Sequence, residues 1–277
     1  MQKHLIEDIE VTLLLESIFQ RYGYDFRSYA KNSIKRRIHN LLQKTEYHEI
    51  SDLIPRLLYD ETFFGSVLSH FSIPVTEMFR DPSFFKQLRQ QVFPLLRHYP
   101  FLKIWHAGCA TGEEVYSMAI LLTELGLYER TTIFATDFND EVLHRAKTAT
   151  YSLKNLSMFN KNYELSGGTL DFSHYYRIEN ETIVLSTTLQ ENITFANHNL
   201  VTDGVFGEMH LVLCRNVLIY FDKNLQNHVL MLLANSLIDL GFLCLGNKES
   251  LIFSSIVKQF KELDVKERIY QKTTVAE

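Results

Sequence analysis

Apolar positions along the chain follow a helical period at first and alternate with strand-like runs later. Near the N-terminus Leu5, Ile9 and Leu13, with Ile6 and Leu14, form an amphipathic stripe at helical spacing. Gly23 breaks the pattern, and Asp25 or Ser28 suits the cap of the next helix. That helix, predicted over 28–43, places Ala30, Ile34, Ile38, Leu41 and Leu42 on one side. A further helical segment spans 52–69. The stretch 72–82 (SIPVTEMFRDP) then interrupts the period between Pro74 and Pro82, and Pro82 suits the first turn of a helix over 83–97. Phe79, Phe84 and Phe85 make this stretch too apolar for a free linker, and Arg80 stands out among them.

From Phe101 the pattern turns to α/β alternation. Ile104 and Trp105 run into the turn Gly108-Cys-Ala-Thr-Gly112, and Val115, Met118, Ala119 and Leu122 follow at one-face helical spacing. A second strand, 131–136, ends at Asp137, with Asn139 or Asp140 as cap of a helix reaching Ala149. The region 151–200 departs from the alternation. Short runs at 174–178, 182–185 and 192–196 give it the character of a small hairpin insertion. A continuous apolar run, 210–214, reads as a central parallel strand. A helix over 223–240, a glycine-bounded strand over 241–246, a loop over 247–250 and an antiparallel pair, 257–261 with 268–271, complete the reading. The fold class is therefore α/β, with a helical N-terminal part.

The strand, glycine turn and helix at 103–117 form the opening unit of a nucleotide-type site, where glycines allow positive φ and close approach of a ligand. Glu113 and Glu114 follow the turn at once. Their charge disfavours a diphosphate and favours a ligand with cationic groups and a ribose, for which S-adenosylmethionine (SAM) fits. Acids in a first helical turn also suit the helix dipole, so this reading has a plain rival. Asp137 can accept two ribose hydrogen bonds or serve as an ordinary turn residue. Arg215-Asn216 stands at the C-terminal end of a strand, where ligands of open α/β sheets bind.

The chain has 277 residues and a formal net charge of −5, which makes a globally basic nucleic-acid binder unexpected. Against that balance, 21–44 carries Arg27, Lys31, Lys35, Arg36 and Arg37 with one acid, Asp25. This is either a solvated helix face or a docking face for an acidic partner. The three cysteines, widely spaced and without a CxxC pair, indicate neither a disulfide framework nor a zinc site. No signal peptide or membrane span is read, and a reducing cytoplasm is expected.

Several segments taken together resemble the CheR family, the SAM-dependent chemoreceptor glutamate O-methyltransferases of bacterial chemotaxis. They are 24–26 (YDF), 33–38 (SIKRRI), 76–82 (TEMFRDP), 107–117 (AGCATGEEVYS), 135–137 (ATD), 198–200 (HNL) and 214–221 (CRNVLIYF). The resemblance covers nearly the whole chain. It implies a Rossmann-like methyltransferase domain over 101–277, with a β-subdomain inserted at about 151–197. It also implies a helical receptor-docking domain over 1–70 and an interdomain segment over 71–100. SAM would be the cofactor, S-adenosylhomocysteine the product, and no metal is called for.

The resemblance further implies roles at matching positions. Thr76 and Arg80 would close over the cofactor, with Arg80 nearest the transferred methyl group. Gly108 and Glu114 would face the methionine part, Asp137 the ribose, and Asn199 and Leu200 the adenine. Arg215 and Asn216 match the pair after the fourth strand, and Tyr220 a tyrosine beside the sulfonium. Arg27, Lys31, Lys35, Arg36 and Arg37 would dock on a receptor's acidic helical bundle, and the β-subdomain could take a receptor tether peptide. A monomer without membrane insertion is expected. The chain departs from the family at Pro74, in place of a cofactor-contacting asparagine. It also departs at Met78, at Val115 and in the run Asn247-Lys248-Glu249-Ser250. A nucleic-acid methyltransferase is the weaker rival, because Arg215-Asn216-Val217 stands where amino-methylating enzymes carry their own motif. A non-catalytic SAM-binding signalling module is the other.

Overall fold

The computed structural model describes residues 2–72 and 76–274. The chain forms two compact units, Met1–Ile73 with Leu218–Val229, and Pro74–Val217 with Leu230–Glu277. Pro74, with its family departure, lies outside the described residues.

The first unit is helical. It contains α1 (Gln2–Tyr22), α2 (Lys31–Leu42), α3 (Leu53–Tyr59) and α4 (Glu61–Phe71). Of the stripe read on α1, Leu5, Ile6, Ile9 and Leu13 face outward, at 62%, 57%, 51% and 52% exposed, and only Leu14 is buried. Val11, Leu14, Leu15 and Ile18 are the buried side, and α1 packs on α3. Apolar residues surround α1, so periodicity offers more than one stripe. The rotation is consistent with ion pairs to α2, in which Asp8 meets Lys31 at 2.7 Å and Lys35 at 2.5 Å. On α2 the predicted residues Ile34, Ile38 and Leu41 are buried. The helical segment 52–69 is two helices, broken at Asp60, whose carboxylate accepts the Phe63 N–H at 3.0 Å as an N-cap.

In the second unit, α5 (Pro82–Gln87) passes through a π-helical turn (Leu88–Val92) into α6 (Phe93–Leu96). Pro94 lies just past the π turn; a proline inside a helix lacks the N–H of the regular ladder and crowds the carbonyl four residues back, which accounts for the widening. Next come β1 (Leu102–Ala107), α7 (Glu113–Glu124), β2 (Thr131–Asp137), α8 (Asp140–Thr148), β3 (Thr150–Ser152) and α9 (Leu156–Leu165). They are followed by β4 (Tyr176–Glu179), β5 (Thr182–Leu185), β6 (Ile193–Asn197) and β7 (Met209–Cys214). The chain closes with α10 (Lys223–Asn235), whose residues up to Val229 belong to the first unit, then β8 (Leu237–Leu245), β9 (Phe260–Asp264) and β10 (Ile269–Lys272).

Among the described residues the main sheet has the order β6-β2-β1-β7-β8-β10-β9, and a smaller sheet the order β3-β5-β4. Neighbours from β6 to β8 are parallel, and β10 is antiparallel to both β8 and β9. Ile104 pairs in register with Ile133 on one side and Leu211 on the other. They pack with Val115, Met118 and Ala119 of α7 in the main buried cluster. This is the Rossmann-like α/β architecture expected. Strand order reverses between β1 and β7, so the crevice beyond their C-terminal ends is the ligand position of such a sheet.

Three elements differ from the sequence reading. The run 192–196 belongs to the main sheet as β6, with Ile193 opposite Ile133, and not to the hairpin insertion. Helix α10 stops at Asn235, because Leu237 finds a strand partner in Met209; this pairing overrides helical periodicity. The terminal pair is shifted, with Val257–Gln259 forming one 3-10 turn ahead of β9. Among the described residues no helix is long and apolar enough to cross a membrane.

Candidate active site

The turn after β1 is built by backbone. Gly108 and Cys109 both donate their N–H to the Thr136 carbonyl at 2.8 Å, which pulls the turn toward the end of β2. Gly108 has φ +81°, and a Cβ there would lie 2.6 Å from Val217 Cγ2. Glycine is therefore required by both conformation and space. Ala110, itself at φ +49°, donates its N–H to Asp137 Oδ2 at 3.1 Å. The other oxygen of Asp137 accepts the Asn139 N–H at 3.1 Å. Burial pushes the Asp137 carboxyl up to about 6, against the pull of these backbone donors.

The two glutamates divide. Glu113 turns into the interior, where the Thr111 hydroxyl donates to it at 2.7 Å and burial raises it to about 7. Glu114 is only 17% exposed in its side chain and accepts from Arg215 Nη1 at 2.7 Å. It also bonds His106 Nδ1 at 3.0 Å. Burial pushes the Glu114 carboxyl up, but Arg215 and His106 outweigh it and hold the group at about 2. Arg215 reaches Asp81 as well, Nη2 to Oδ2 at 2.7 Å, and its guanidinium carbon stands 3.9 Å from the Phe84 ring centre.

Asp81 ties the segment before α5 to Arg215. It has φ +55° and Phe79 has φ +53°, both in the left-handed region that costs a non-glycine residue about 1 kcal/mol or more. Phe79 is held by its N–H to Ser117 Oγ at 2.8 Å and is fully buried. Arg80 lies between these two fixed residues and is half-buried, as is Thr76. Asn199 makes a turn of its own, accepting the Val201 N–H at 3.0 Å, and Leu200 is buried. Asn216 has φ +60° and donates its N–H to Glu249 at 3.0 Å.

The structure thus joins Gly108 with Asp137 through one turn, and Glu114 with Arg215 through one ion pair. Tyr220 falls in the first unit, where the Arg37 guanidinium lies 4.5 Å from its ring centre. Sequence reasoning passed over Asp81, His106, Ser117 and Glu249. An acid between an arginine and a helix-opening proline was the available signal for Asp81; nothing local marks the others.

The basic segment does not present the surface its composition suggests. Arg37 is 4% exposed and donates to the Phe71 carbonyl within the helical unit. Lys31 and Lys35 pair with Asp8, Lys35 also with Glu7 at 3.3 Å, and Arg27 with Glu16 and Asp25. Arg36 is exposed and, among the described residues, forms no ion pair. The thiols of Cys109, Cys214 and Cys244 are buried and pushed up by that burial, which removes them as nucleophiles.

The donor set fits SAM. A buried acid stands at the end of β2 beside a glycine turn, and a second carboxylate, held ionised, stands at the start of α7. These suit ribose hydroxyls and a cationic amino-acid moiety. Residues 74–269 match the family model described as CheR methyltransferase, SAM binding domain, and residues 9–72 match the CheR all-alpha domain. The Pseudomonas putida protein named methyltransferase Cher3 is 49% identical over 96% of this chain and 97% of its own. Chemotaxis protein methyltransferases of Listeria innocua and Salmonella typhimurium are 28% and 26% identical, over 83% and 94% of this chain and 86% and 89% of theirs. The chain belongs to the CheR methyltransferase family, and SAM is its cofactor.

Proposed function

We propose that this chain methylates glutamate side chains of a chemoreceptor, giving glutamate methyl esters in chemotaxis adaptation. The relatives' names and the segments quoted above support the substrate class. SAM supplies an electrophilic methyl group, with S-adenosylhomocysteine as product. Glutamate needs no general base here, since its carboxyl, with an ordinary pKa of about 4.3, is ionised at neutral pH. What remains is orientation, which can supply roughly 7–11 kcal/mol. Arg80 orients the acceptor by binding one carboxylate oxygen while the other attacks. Asp137, Asn199 and Leu200 hold the nucleoside, and Gly108, Glu114, Arg215, Asn216 and Thr76 hold the methionine part. For Tyr220 the support is the sequence match alone.

The observation that carries this reading is the turn Phe79-Arg80-Asp81. Two residues with left-handed φ hold Arg80, one fixed to α7 and the other ion-paired to the floor of the site. Such strain is a mark of a functional position. Arg80→Ala is expected to lose transfer by on the order of a hundredfold, well beyond any loss of S-adenosylhomocysteine affinity read by calorimetry. Normal labelling of host receptors by the variant with radioactive SAM would overturn the assignment.

The receptor's acidic helical bundle would meet the first unit at Arg36, with Lys31, Lys35 and Arg27 drawn in as their internal partners exchange. A tether peptide on the smaller sheet, a monomeric state and a cytoplasmic location complete the proposal.

A further inference from the structure

Adjacent parallel strands β7 and β8 end together, with Cys214 paired to Leu245. One residue past β8 is Gly246, and two past β7 is Asn216. A single carboxylate oxygen, Glu249 Oε2, accepts the Gly246 N–H at 2.6 Å and the Asn216 N–H at 3.0 Å. Glu249 is 5% exposed, and its own N–H returns to the Gly246 carbonyl at 2.9 Å. The joint is tight: a Cβ on Gly246 would lie 2.7 Å from Asn216 N and 2.8 Å from Glu249 Oε2.

Both neighbours of Asn216 belong to the cofactor site. Arg215 carries the ion pairs to Glu114 and Asp81. Val217 is the side chain that a Cβ at Gly108 would strike. Asn216 itself holds φ +60°, a conformation in which an asparagine is strained unless its surroundings fix it. Backbone N–H bonds to a carboxylate are among the stronger hydrogen bonds available for that purpose.

We infer that Glu249 is a positioning residue for SAM binding: its carboxylate fixes the Asn216 turn, and through it both the Arg215 ion pairs and the Val217 wall behind Gly108. It acts through these groups and is assigned no contact with cofactor or substrate. The inference rests on the cofactor and not on the identity of the methyl acceptor.

The test compares wild type with Glu249→Ala, Glu249→Gln and Gly246→Ala. Each is measured for S-adenosylhomocysteine affinity per folded molecule, for Tm, and for hydrogen-exchange protection of the Asn216 amide. Gly246→Ala presses the same joint apart from the opposite side. Glu249→Ala and Gly246→Ala are expected to weaken binding about tenfold or more, with the Asn216 amide deprotected. Glu249→Gln, which keeps one acceptor oxygen without its charge, is expected to fall between them and wild type. A purely structural Glu249 would lower Tm and leave the affinity of the folded fraction unchanged. Wild-type affinity in folded Glu249→Ala or Gly246→Ala overturns the inference. If neither folds, wild-type affinity in Glu249→Gln does so.

Discussion

Arg215 and Glu114 meet at 2.7 Å, although they lie 101 residues apart in the chain. The pair ties the end of β7 to the first turn of α7, and Asp81 shares the same guanidinium. One cation is therefore shared by two carboxylates, and the side chain that carries it is 2% exposed.

Removing that cation should be costly. Arg215→Ala takes the shared cation from Glu114 and Asp81 and leaves Glu114 with His106 alone; breaking a buried pair in this way costs about 3–5 kcal/mol. Wild-type Glu114 is lowered from 4.5 to about 2, so its contribution is full above pH 4.5 and is lost as pH falls toward 2. The stability gap between wild type and variant, read by urea unfolding, should be widest near neutrality and narrow across that window.

Asp137 should show the opposite relation between stability and function. Its folded carboxyl is raised from 3.8 to about 6, so without ligand stability falls as pH rises through that interval and is level above it. On the ribose-binding role proposed for Asp137, SAM affinity should rise over the same interval, as its carboxylate forms. Asp137→Asn is expected to raise the Tm of the ligand-free protein above pH 6, flatten the pH profile of its stability and abolish measurable SAM binding.

The adjacent arginines of α2 separate surface from core. Arg36→Glu should leave stability within about 0.5 kcal/mol while slowing receptor methylation, most at low salt where surface charge is least screened. Arg37→Glu puts an unpaired carboxylate where a 4%-exposed guanidinium sits. Its loss of stability should exceed about 3 kcal/mol. Chemical denaturation and initial methylation rates at two salt concentrations distinguish the pair. Equal effects of the two substitutions on stability would contradict the placement of Arg37.

The local elements of the candidate site were legible from sequence. A glycine turn between strand and helix, an acid at the next strand's end and Arg215-Asn216 at a later one each follow from short-range rules of backbone and charge. Those rules do not depend on which strands become neighbours, and the main α/β alternation was readable for the same reason.

The tertiary structure decided everything that depends on facing and on distant partners. Periodicity gives the phase of a helix but not the direction it turns, so the apolar stripe of α1 could be read while its exposure could not. Composition groups Arg36 with Arg37, but the step of about 100° between consecutive residues of α2 separates solvent from core. The strand at 193–197 could join a hairpin or the main sheet, and only β2 as an available partner settles it. Asp81 and Glu249 acquire their roles because chain reversals bring each against Arg215 or Asn216. The neighbours of Glu249 do not mark a partner 33 residues away, and the acid before Pro82 marks Asp81 without naming Arg215, 134 residues on, as its partner.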